Sequence, residues 1–250
     1  KFKNSKKIDV IISAIPGIKG LAPTIETIKL TKKILIANKE SIICGWELLK
    51  NEAKKNKTLI VPIDSEHFSI LKLLEKESLK EIKKVYLTAS GGPFLNFRKK
   101  QLNKILPKDT LKHPKWKMGK KITVDSATLM NKMFELVEAQ KLFNLPITKL
   151  DILIHPESLV HGIIELHNGL LKFIYHDTSM MIPIANAIFD KNLKMNKLYN
   201  TKKINSGDIK NLTFRKVNPN IFPVIKLKSK INLLPSSSII FNAFNEILVD

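Results

Sequence analysis

Short apolar runs alternate with helical patterns over roughly the first third of the chain. The runs are rich in Ile, Leu and Val, and the stretches between them carry apolar residues at helical spacing. This alternation is typical of βαβ units and predicts a mostly parallel sheet. The pattern predicts strands at 10–13, 34–36, 59–61 and 85–87, and helices at 21–32, 41–55 and 67–74.

The pattern changes after residue 90. Residues 91–121 carry glycines, prolines and many basic residues but no periodicity, which is typical of a functional loop or a disordered segment. Beyond it, Ser126 is a good N-cap for a helix predicted over 127–143. Three strands and a hairpin turn at Asn168-Gly169 follow, and residues 191–221 are weakly patterned. The strands are predicted at 150–155, 159–166 and 170–175, and later helices at 182–189, 222–228 and 239–249.

Composition excludes several classes of protein. Hydrophobic residues make up 44% of the 250-residue chain, which is enough to build a core and excludes wholesale disorder. No apolar run approaches the roughly 20 residues that a membrane helix needs, so we expect no membrane partner. Cys44 is the single cysteine, which excludes an internal disulfide framework and fits a reducing compartment.

The formal charge of +21 suggests a nucleic-acid-binding module, but its make-up argues against one. Only Arg98 and Arg215 are arginine, so lysine accounts for 41 of the 43 basic residues. Nucleic-acid-binding proteins favour arginine for bidentate contacts, and the lysines here are scattered along both halves. We interpret the charge as compositional drift toward lysine on solvated faces and expect no nucleic-acid partner, with a basic binding module as the alternative.

Two acidic residues follow the strand predicted at 59–61. Asp64 and Glu66 are two apart, so in extended chain their side chains can converge on one point. They lie at the carboxyl end of a strand, where open α/β sheets bind ligands, and paired carboxylates suit a hard divalent cation. The alternative is that Asp64 or Ser65 simply caps the next helix.

A second polar group lies on the helix predicted at 127–143. Ser126, Asn131 and Lys132 near the start of a helix can hold a phosphate through hydroxyl, amide and charge. Glu135 shares a face with Asn131 and could supply a third carboxylate to a metal ion. An ordinary amphipathic helix with a surface Lys–Glu pair would look the same.

The irregular segment carries further candidates. Ser90-Gly91-Gly92 follows a strand, and consecutive glycines let backbone amides approach an anion, although a plain turn has the same sequence. His113 and Trp116 lie in a basic loop that could close over a ligand, or Trp116 could simply anchor that loop.

Five segments together resemble one family. They are Ala37-Asn38-Lys39-Glu40-Ser41, Pro62-Ile63-Asp64-Ser65-Glu66-His67, Ser90-Gly91-Gly92-Pro93-Phe94, His113-Pro114-Lys115-Trp116-Lys117-Met118-Gly119 and Val124-Asp125-Ser126-Ala127-Thr128-Leu129-Met130-Asn131-Lys132. In order and spacing they resemble the 1-deoxy-D-xylulose 5-phosphate reductoisomerases. The resemblance implies an NADPH-dependent enzyme that rearranges and reduces this phosphosugar to 2-C-methyl-D-erythritol 4-phosphate with Mg²⁺, Mn²⁺ or Co²⁺.

The resemblance also implies roles for individual residues. The implied metal ligands are Asp64, Glu66 and Glu135, which with Lys39 and His113 form the implied catalytic set. The implied substrate contacts are Lys39, Ser65, Glu66, Ser90, His113, Ser126, Asn131, Lys132 and Glu135. The implied cofactor contacts are Asn38, Glu40, Gly119 and Met180; Trp116 and Met118 belong to the closing loop, and His161 to the wall of the site.

The resemblance further implies the fold class, an α/β protein in which the trailing part of a Rossmann-like parallel sheet precedes an α+β catalytic domain. We expect residues 1–63 to belong to the NADPH-binding domain, 64–205 to the catalytic domain with lid loop 91–121, and 206–250 to a linker and the start of a helical region. The resemblance implies a cytoplasmic homodimer.

Two departures from the family's pattern qualify this expectation. No glycine-rich phosphate-binding turn precedes Val10, so we expect only a fragment of the cofactor domain. Met133 replaces the usual glycine, where it could crowd the site or be absorbed by repacking. A catalytically impaired homologue is therefore a second alternative.

Overall fold

A parallel three-stranded sheet opens the fold. The computed structural model describes residues 6–111, 113, 116, 118–189, 193–194, 212–231 and 235–249. Strands β1 (Ile8–Ser13), β2 (Thr31–Ile36) and β3 (Leu59–Pro62) lie in this order and pair in parallel. Helices α1 (Leu21–Ile28) and α2 (Lys39–Asn56) form the crossovers between them. Buried isoleucines and leucines of these elements form the core on the helical side, as the alternating pattern predicts.

A mixed five-stranded sheet follows. It contains β4 (Ile82–Ala89), β5 (Leu150–Ile154), β6 (Val160–Leu166), β7 (Leu171–Tyr175) and β8 (Arg215–Lys216). The spatial order is β7-β6-β4-β5-β8; β4 and β5 are parallel, and the other neighbours are antiparallel. The predicted strand at 85–87 therefore belongs to this mixed sheet and not to the parallel one. The order of a parallel sheet before a mixed one agrees with the predicted fold class.

Two helices connect the mixed sheet to the parallel one. Helix α3 (Ser65–Leu74) directly follows β3 and packs on β6, and α7 (Met130–Phe143) packs on β4 and β5 and against α2. Their apolar sides join the strands in the largest buried cluster of the described residues. This packing places the first turn of α3, which carries Glu66, beside the first two turns of α7, which carry Asn131, Lys132 and Glu135.

The helix predicted over 127–143 begins three residues later than expected, and a separate helix precedes it. Helix α6 (Lys120–Ala127) ends before Leu129, which has φ of 67°, and α7 begins at Met130. The prediction that Ser126 is an N-cap is therefore wrong, because Ser126 lies in the last turn of α6. Leu129 is 1% exposed, and burying its side chain in the core offsets the cost of the left-handed backbone.

The remaining elements follow the pattern more closely. The predicted hairpin turn is present between β6 and β7, with Gly169 at φ of 88°. Two single-turn helices, α4 (Lys99–Leu102) and α5 (Pro107–Thr110), interrupt the irregular segment. Later come α8 (Met181–Phe189), a 3-10 helix at Pro223–Lys230 and α9 (Pro235–Val249). Most of the weakly patterned stretch at 191–221 lies outside the described residues.

None of the described helices has the length and apolar character needed to span a bilayer.

Candidate metal and anion site

Three carboxylates converge at the end of β3. Asp64 is the N-cap of α3, Glu66 lies in its first turn, and Glu135 is in the second turn of α7. One oxygen from each lies within 4.8 Å of the others. Asp64 Oδ1 also accepts hydrogen bonds from the backbone amides of Glu66 (3.1 Å) and His67 (3.5 Å). Asp64 therefore caps the helix, as the alternative interpretation held, and still faces the other two carboxylates.

Two buried lysines balance this negative charge. Lys132 Nζ lies 2.5 Å from Glu66 Oε1 and 2.7 Å from Glu135 Oε2. Lys39 Nζ donates to Asn131 Oδ1 at 2.5 Å and lies 3.6 Å from Glu135 Oε1. Burial alone would lower the pKa of each lysine, but the carboxylates outweigh it and raise both values. The site is thus a compact set of opposite charges shielded from water.

The pKa values of the acids move apart in this environment. Burial would raise the pKa of Asp64, but His67 and the two lysines hold it well below its usual range. Burial raises the pKa of Glu66 to about 8; the neighbouring carboxylates add to this, and Lys132 opposes it. A divalent cation would favour the ionised form of all three acids, since oxygen ligands of this kind suit Mg²⁺ or Mn²⁺. The residues present therefore fit such an ion.

His67 links two of these acids, a role that the sequence did not reveal. Its Nε2 lies 2.9 Å from the backbone carbonyl of Glu135, and its Nδ1 lies 3.2 Å from Asp64 Oδ1 and 4.0 Å from Glu138 Oε2. Burial would lower the pKa of His67, but Glu138 and Asp64 raise it to about 9. The imidazole thereby ties the start of α3 to α7.

A second group of polar side chains adjoins the carboxylates. Ser90 follows β4, and its Oγ lies 3.1 Å from His113 Nε2 and accepts from the Gly92 amide at 3.3 Å. A Cβ on Gly92, which has φ of 60°, would come within 3.3 Å of both Ala127 Cα and the Ser126 carbonyl oxygen. This close approach places the loop after β4 against α6. Hydroxyl, imidazole and lysine groups then converge on one region, which suits a phosphate.

One cavity of about 310 Å³ joins the two groups of residues. Trp116 lies over it, with its ring centroid 6.2 Å from that of His161, and its amide donates to His113 Nδ1 at 2.8 Å. Thr88, Ser158 and Leu129 also line the cavity, although the sequence did not single them out. Of the predicted residues, it is lined by Lys39, Asp64, Ser65, Glu66, Ser90, His113, Ser126, Asn131, Lys132, Glu135, His161 and Met180, and by Trp116 and Met118 of the loop.

Three predicted cofactor residues lie outside the lining of this cavity. Asn38 caps α2 by accepting from the Ser41 amide at 2.7 Å, and its Nδ2 donates to the carbonyls of Ile15 and Gly17. Glu40 accepts from Asn38 Nδ2 at 3.1 Å, and Gly119 is the N-cap of α6. The structure thus shows intrachain bonds for Asn38 and Glu40, whereas Met180 does line the cavity.

Met133 points away from the site. Its side chain is fully buried in the main core cluster with Leu129 and Leu136 and is absent from the cavity lining. Of the two expected outcomes, the structure shows repacking and not crowding.

The fold and the site together define an α/β protein in which three converging carboxylates adjoin a group of hydroxyl, imidazole and lysine side chains. Two family models match its sequence. One, described as the 1-deoxy-D-xylulose 5-phosphate reductoisomerase C-terminal domain, matches residues 60–143, and one described as 1-deoxy-D-xylulose 5-phosphate reductoisomerase matches residues 1–45.

Relatives and solved structures agree with these models. A 1-deoxy-D-xylulose 5-phosphate reductoisomerase of Pelagibacter ubique (strain HTCC1062) is 51% identical over 92% of this chain and 59% of the relative. One of Wolbachia sp. subsp. Drosophila simulans (strain wRi) is 44% identical over 97% of this chain and 62% of the relative. A crystal structure of DOX-P reductoisomerase with NADPH, fosmidomycin and magnesium superposes with a TM-score of 0.87 at 35% identity, over 97% of this chain and 61% of that one.

The chain belongs to the 1-deoxy-D-xylulose 5-phosphate reductoisomerase family. It spans about three fifths of the length of the curated relatives it matches.

Proposed function

We propose that this protein converts 1-deoxy-D-xylulose 5-phosphate to 2-C-methyl-D-erythritol 4-phosphate with NADPH and a divalent cation. The observation that carries the proposal is the convergence of Asp64, Glu66 and Glu135 within 4.8 Å of one another, beside a group of anion-binding side chains. Both groups line one cavity, so a single phosphosugar can contact both. Family membership supports the same reaction.

In this proposal the two ends of the cavity have separate tasks. Asp64, Glu66 and Glu135 hold Mg²⁺, Mn²⁺ or Co²⁺, which when bound polarises the carbonyl of the substrate. Ser90, Ser126, Asn131 and Lys132 bind the phosphate. The phosphate is remote from the reacting carbons, so its binding energy serves to orient them.

Other residues of the cavity orient the substrate and exclude water. Lys39 and Ser65 face the sugar backbone, and Ser65 Oγ donates to Glu66 Oε2 at 2.6 Å, which fixes that carboxylate. His113 holds Ser90 on one side and the Trp116 amide on the other. We propose that the loop with Trp116 and Met118 covers the reactive aldehyde until it is reduced.

We propose Met180 as the side chain nearest the nicotinamide. Its support is its position in the lining of the cavity that also holds the carboxylates. For Asn38, Glu40 and Gly119, cofactor contact stays a prediction from the resemblance. In the same division, residues 1–63 belong to the cofactor domain, 64–205 carry the metal and phosphate ligands, and 206–250 begin a further region.

The decisive experiment measures NADPH oxidation at 340 nm with the full-length protein. We expect oxidation only when both the phosphosugar and a divalent cation are present, with one product formed for each NADPH consumed. Omitting the metal, adding EDTA or omitting the substrate supplies the controls. No substrate-dependent oxidation by folded protein with Mg²⁺ or Mn²⁺ would refute the proposal.

We also propose that the protein is a homodimer joined through β7. This strand lies at the edge of the mixed sheet, and its Leu171 and Phe173 are 61% and 47% exposed. An apolar edge strand is an unsatisfied pairing surface unless something covers it. Light scattering should show a dimer that Phe173→Glu converts to a monomer, whereas Leu48→Glu, at an exposed position on α2, leaves it intact. A wild-type monomer at micromolar concentration would exclude this arrangement.

A further inference from the structure

Two pairs of adjacent residues face both the cavity and a second polar cluster behind it. Lys39 and Ser126 line the cavity. Their neighbours Glu40 and Asp125 are buried and contact the side chain of Lys121 instead. Glu40 and Asp125 are thus each one peptide unit away from a group that lines the cavity.

Lys121 joins three helices. Its Nζ lies 3.5 Å from Glu40 Oε1 at the start of α2, 3.7 Å from Asp125 Oδ2 in α6, and 3.2 Å from Glu246 Oε1 in α9. The ammonium group also lies 5.9 Å from the centre of the Phe134 ring in α7. The side chain is 30% exposed, so these contacts are partly shielded from solvent. One cation thus holds together acids from three separate parts of the chain.

Helix α9 adds a second bond to this cluster. Asn245 Nδ2 donates to Asp125 Oδ1 at 2.9 Å, and both residues are only 4–6% exposed. About two turns earlier, Ser238 Oγ donates to the carbonyl of Ile43 at 3.1 Å. The polar face of α9 therefore contacts both α6 and α2, although neither Asn245 nor Glu246 lines the cavity.

We propose that Lys121 and Glu246 are positioning residues for the phosphate-binding side of the cavity. They hold α6 and the start of α2 so that Ser126 and Lys39 point at the ligand, and neither touches the ligand itself. The identity of the substrate in this inference rests on the proposed function, whereas the anion-binding geometry does not.

The test compares Glu246→Gln with wild type, because this change removes the charge and keeps the shape. We expect the dissociation constant for inorganic phosphate, measured by calorimetry, to rise about threefold to fivefold, the effect of one partly shielded ion pair. The KM for the phosphosugar should rise by the same factor, and by more than kcat falls, because Ser126 binds the phosphate and not the reacting carbons. Lys121→Met should weaken phosphate binding more than Glu246→Gln does, since it removes three contacts. Lys121→Arg keeps the positive charge and should bind phosphate nearly as tightly as wild type.

A double-mutant cycle separates this role from general stabilisation. In the Lys121→Met background, Glu246→Gln should have no further effect on phosphate affinity, because the partner is already absent. Glu26→Gln, which removes an exposed Lys–Glu pair elsewhere, is the matched control and should change nothing. All measurements are made at a temperature where circular dichroism shows each variant folded.

The inference is overturned if folded Glu246→Gln binds phosphate as tightly as wild type, or if Lys121→Arg is as impaired as Lys121→Met. A fall in kcat at constant KM would also overturn it. If wild type binds phosphate but does not turn over the phosphosugar, the proposed function fails, and the phosphate measurements still decide the inference.

Discussion

Replacing Glu135 with glutamine tests the metal site directly. The change keeps the shape of the side chain and removes one of three negative charges whose oxygens lie within 4.8 Å of one another. Two unit charges 4 Å apart interact by about 1 kcal/mol in bulk water and about 4 kcal/mol at an effective dielectric constant near 20. For a divalent ion these values double, to about 2 and about 8 kcal/mol.

The expected loss of metal-binding free energy lies between these two values. Glu135 is 1% exposed, so the dielectric constant around it is well below that of water, but part of the gain is lost to its own desolvation. The lower limit already corresponds to about 30-fold in affinity, at about 1.4 kcal/mol per factor of ten. We therefore expect Glu135→Gln to raise the dissociation constant for Mn²⁺ by about 100-fold or more.

The assay is titration with Mn²⁺ followed by electron paramagnetic resonance, which reports free metal without any turnover. Glu47→Gln removes an exposed glutamate whose oxygen lies 3.2 Å from Lys50 Nζ, and should bind Mn²⁺ like wild type. Metal-dependent turnover by Glu135→Gln should fall by orders of magnitude while circular dichroism shows an intact fold. A dissociation constant within threefold of wild type would remove Glu135 from the metal site.

Three further predictions follow from the same geometry. Because the pKa of Glu66 is raised to about 8, a proton competes with the metal ion for this carboxylate below that pH. The affinity for Mn²⁺ should therefore weaken by up to about tenfold per pH unit as the pH falls from 8 to 6. An affinity that does not change over this range would contradict the prediction. Gly92→Ala should lower the free energy of unfolding, measured in urea, by about 1–2 kcal/mol and should raise KM. The reason is that φ of Gly92 is positive and that the new methyl group would press on Ala127 and Ser126. Unchanged stability would show that the loop relaxes freely. Met133→Ala should destabilise the protein by about 2–5 kcal/mol, because this side chain packs in the core. Below the melting temperature of the variant, kcat should change little. A large loss of kcat in folded protein would place Met133 at the site.

Local chemistry fixed much of the architecture in advance. Isoleucine-rich runs such as 34–36, set between helical patterns, are typical of buried parallel strands, and the structure has β2 there. Asn168-Gly169 predicts a tight turn because glycine accepts positive φ at no cost, and the turn is present. Capping of α3 by Asp64, one of the two interpretations of that segment, also follows from a side chain that bonds to amides two or three residues away.

The break between α6 and α7 could not be predicted in this way. The pattern predicts one helix that begins at residue 127, and Leu129 has no intrinsic preference for φ of 67°. The conformation is stable because the Leu129 side chain is buried in a core built mostly from distant parts of the chain. The same break changes the direction of the chain, so Ser126 faces the cavity from the end of one helix and Asn131 from the start of the next.

By itself the sequence determined most of the strands and longer helices, the two acids at the start of α3 and the helical face that carries Glu135, because periodicity, capping and spacing act within a few residues. The tertiary structure alone decided that these acids meet, that His67 links α3 to α7, and that Lys121 ties three helices together behind the cavity. These contacts join residues separated by tens to more than a hundred positions in the chain. They form only when the burial of apolar faces brings distant elements together, and no local pattern encodes that outcome.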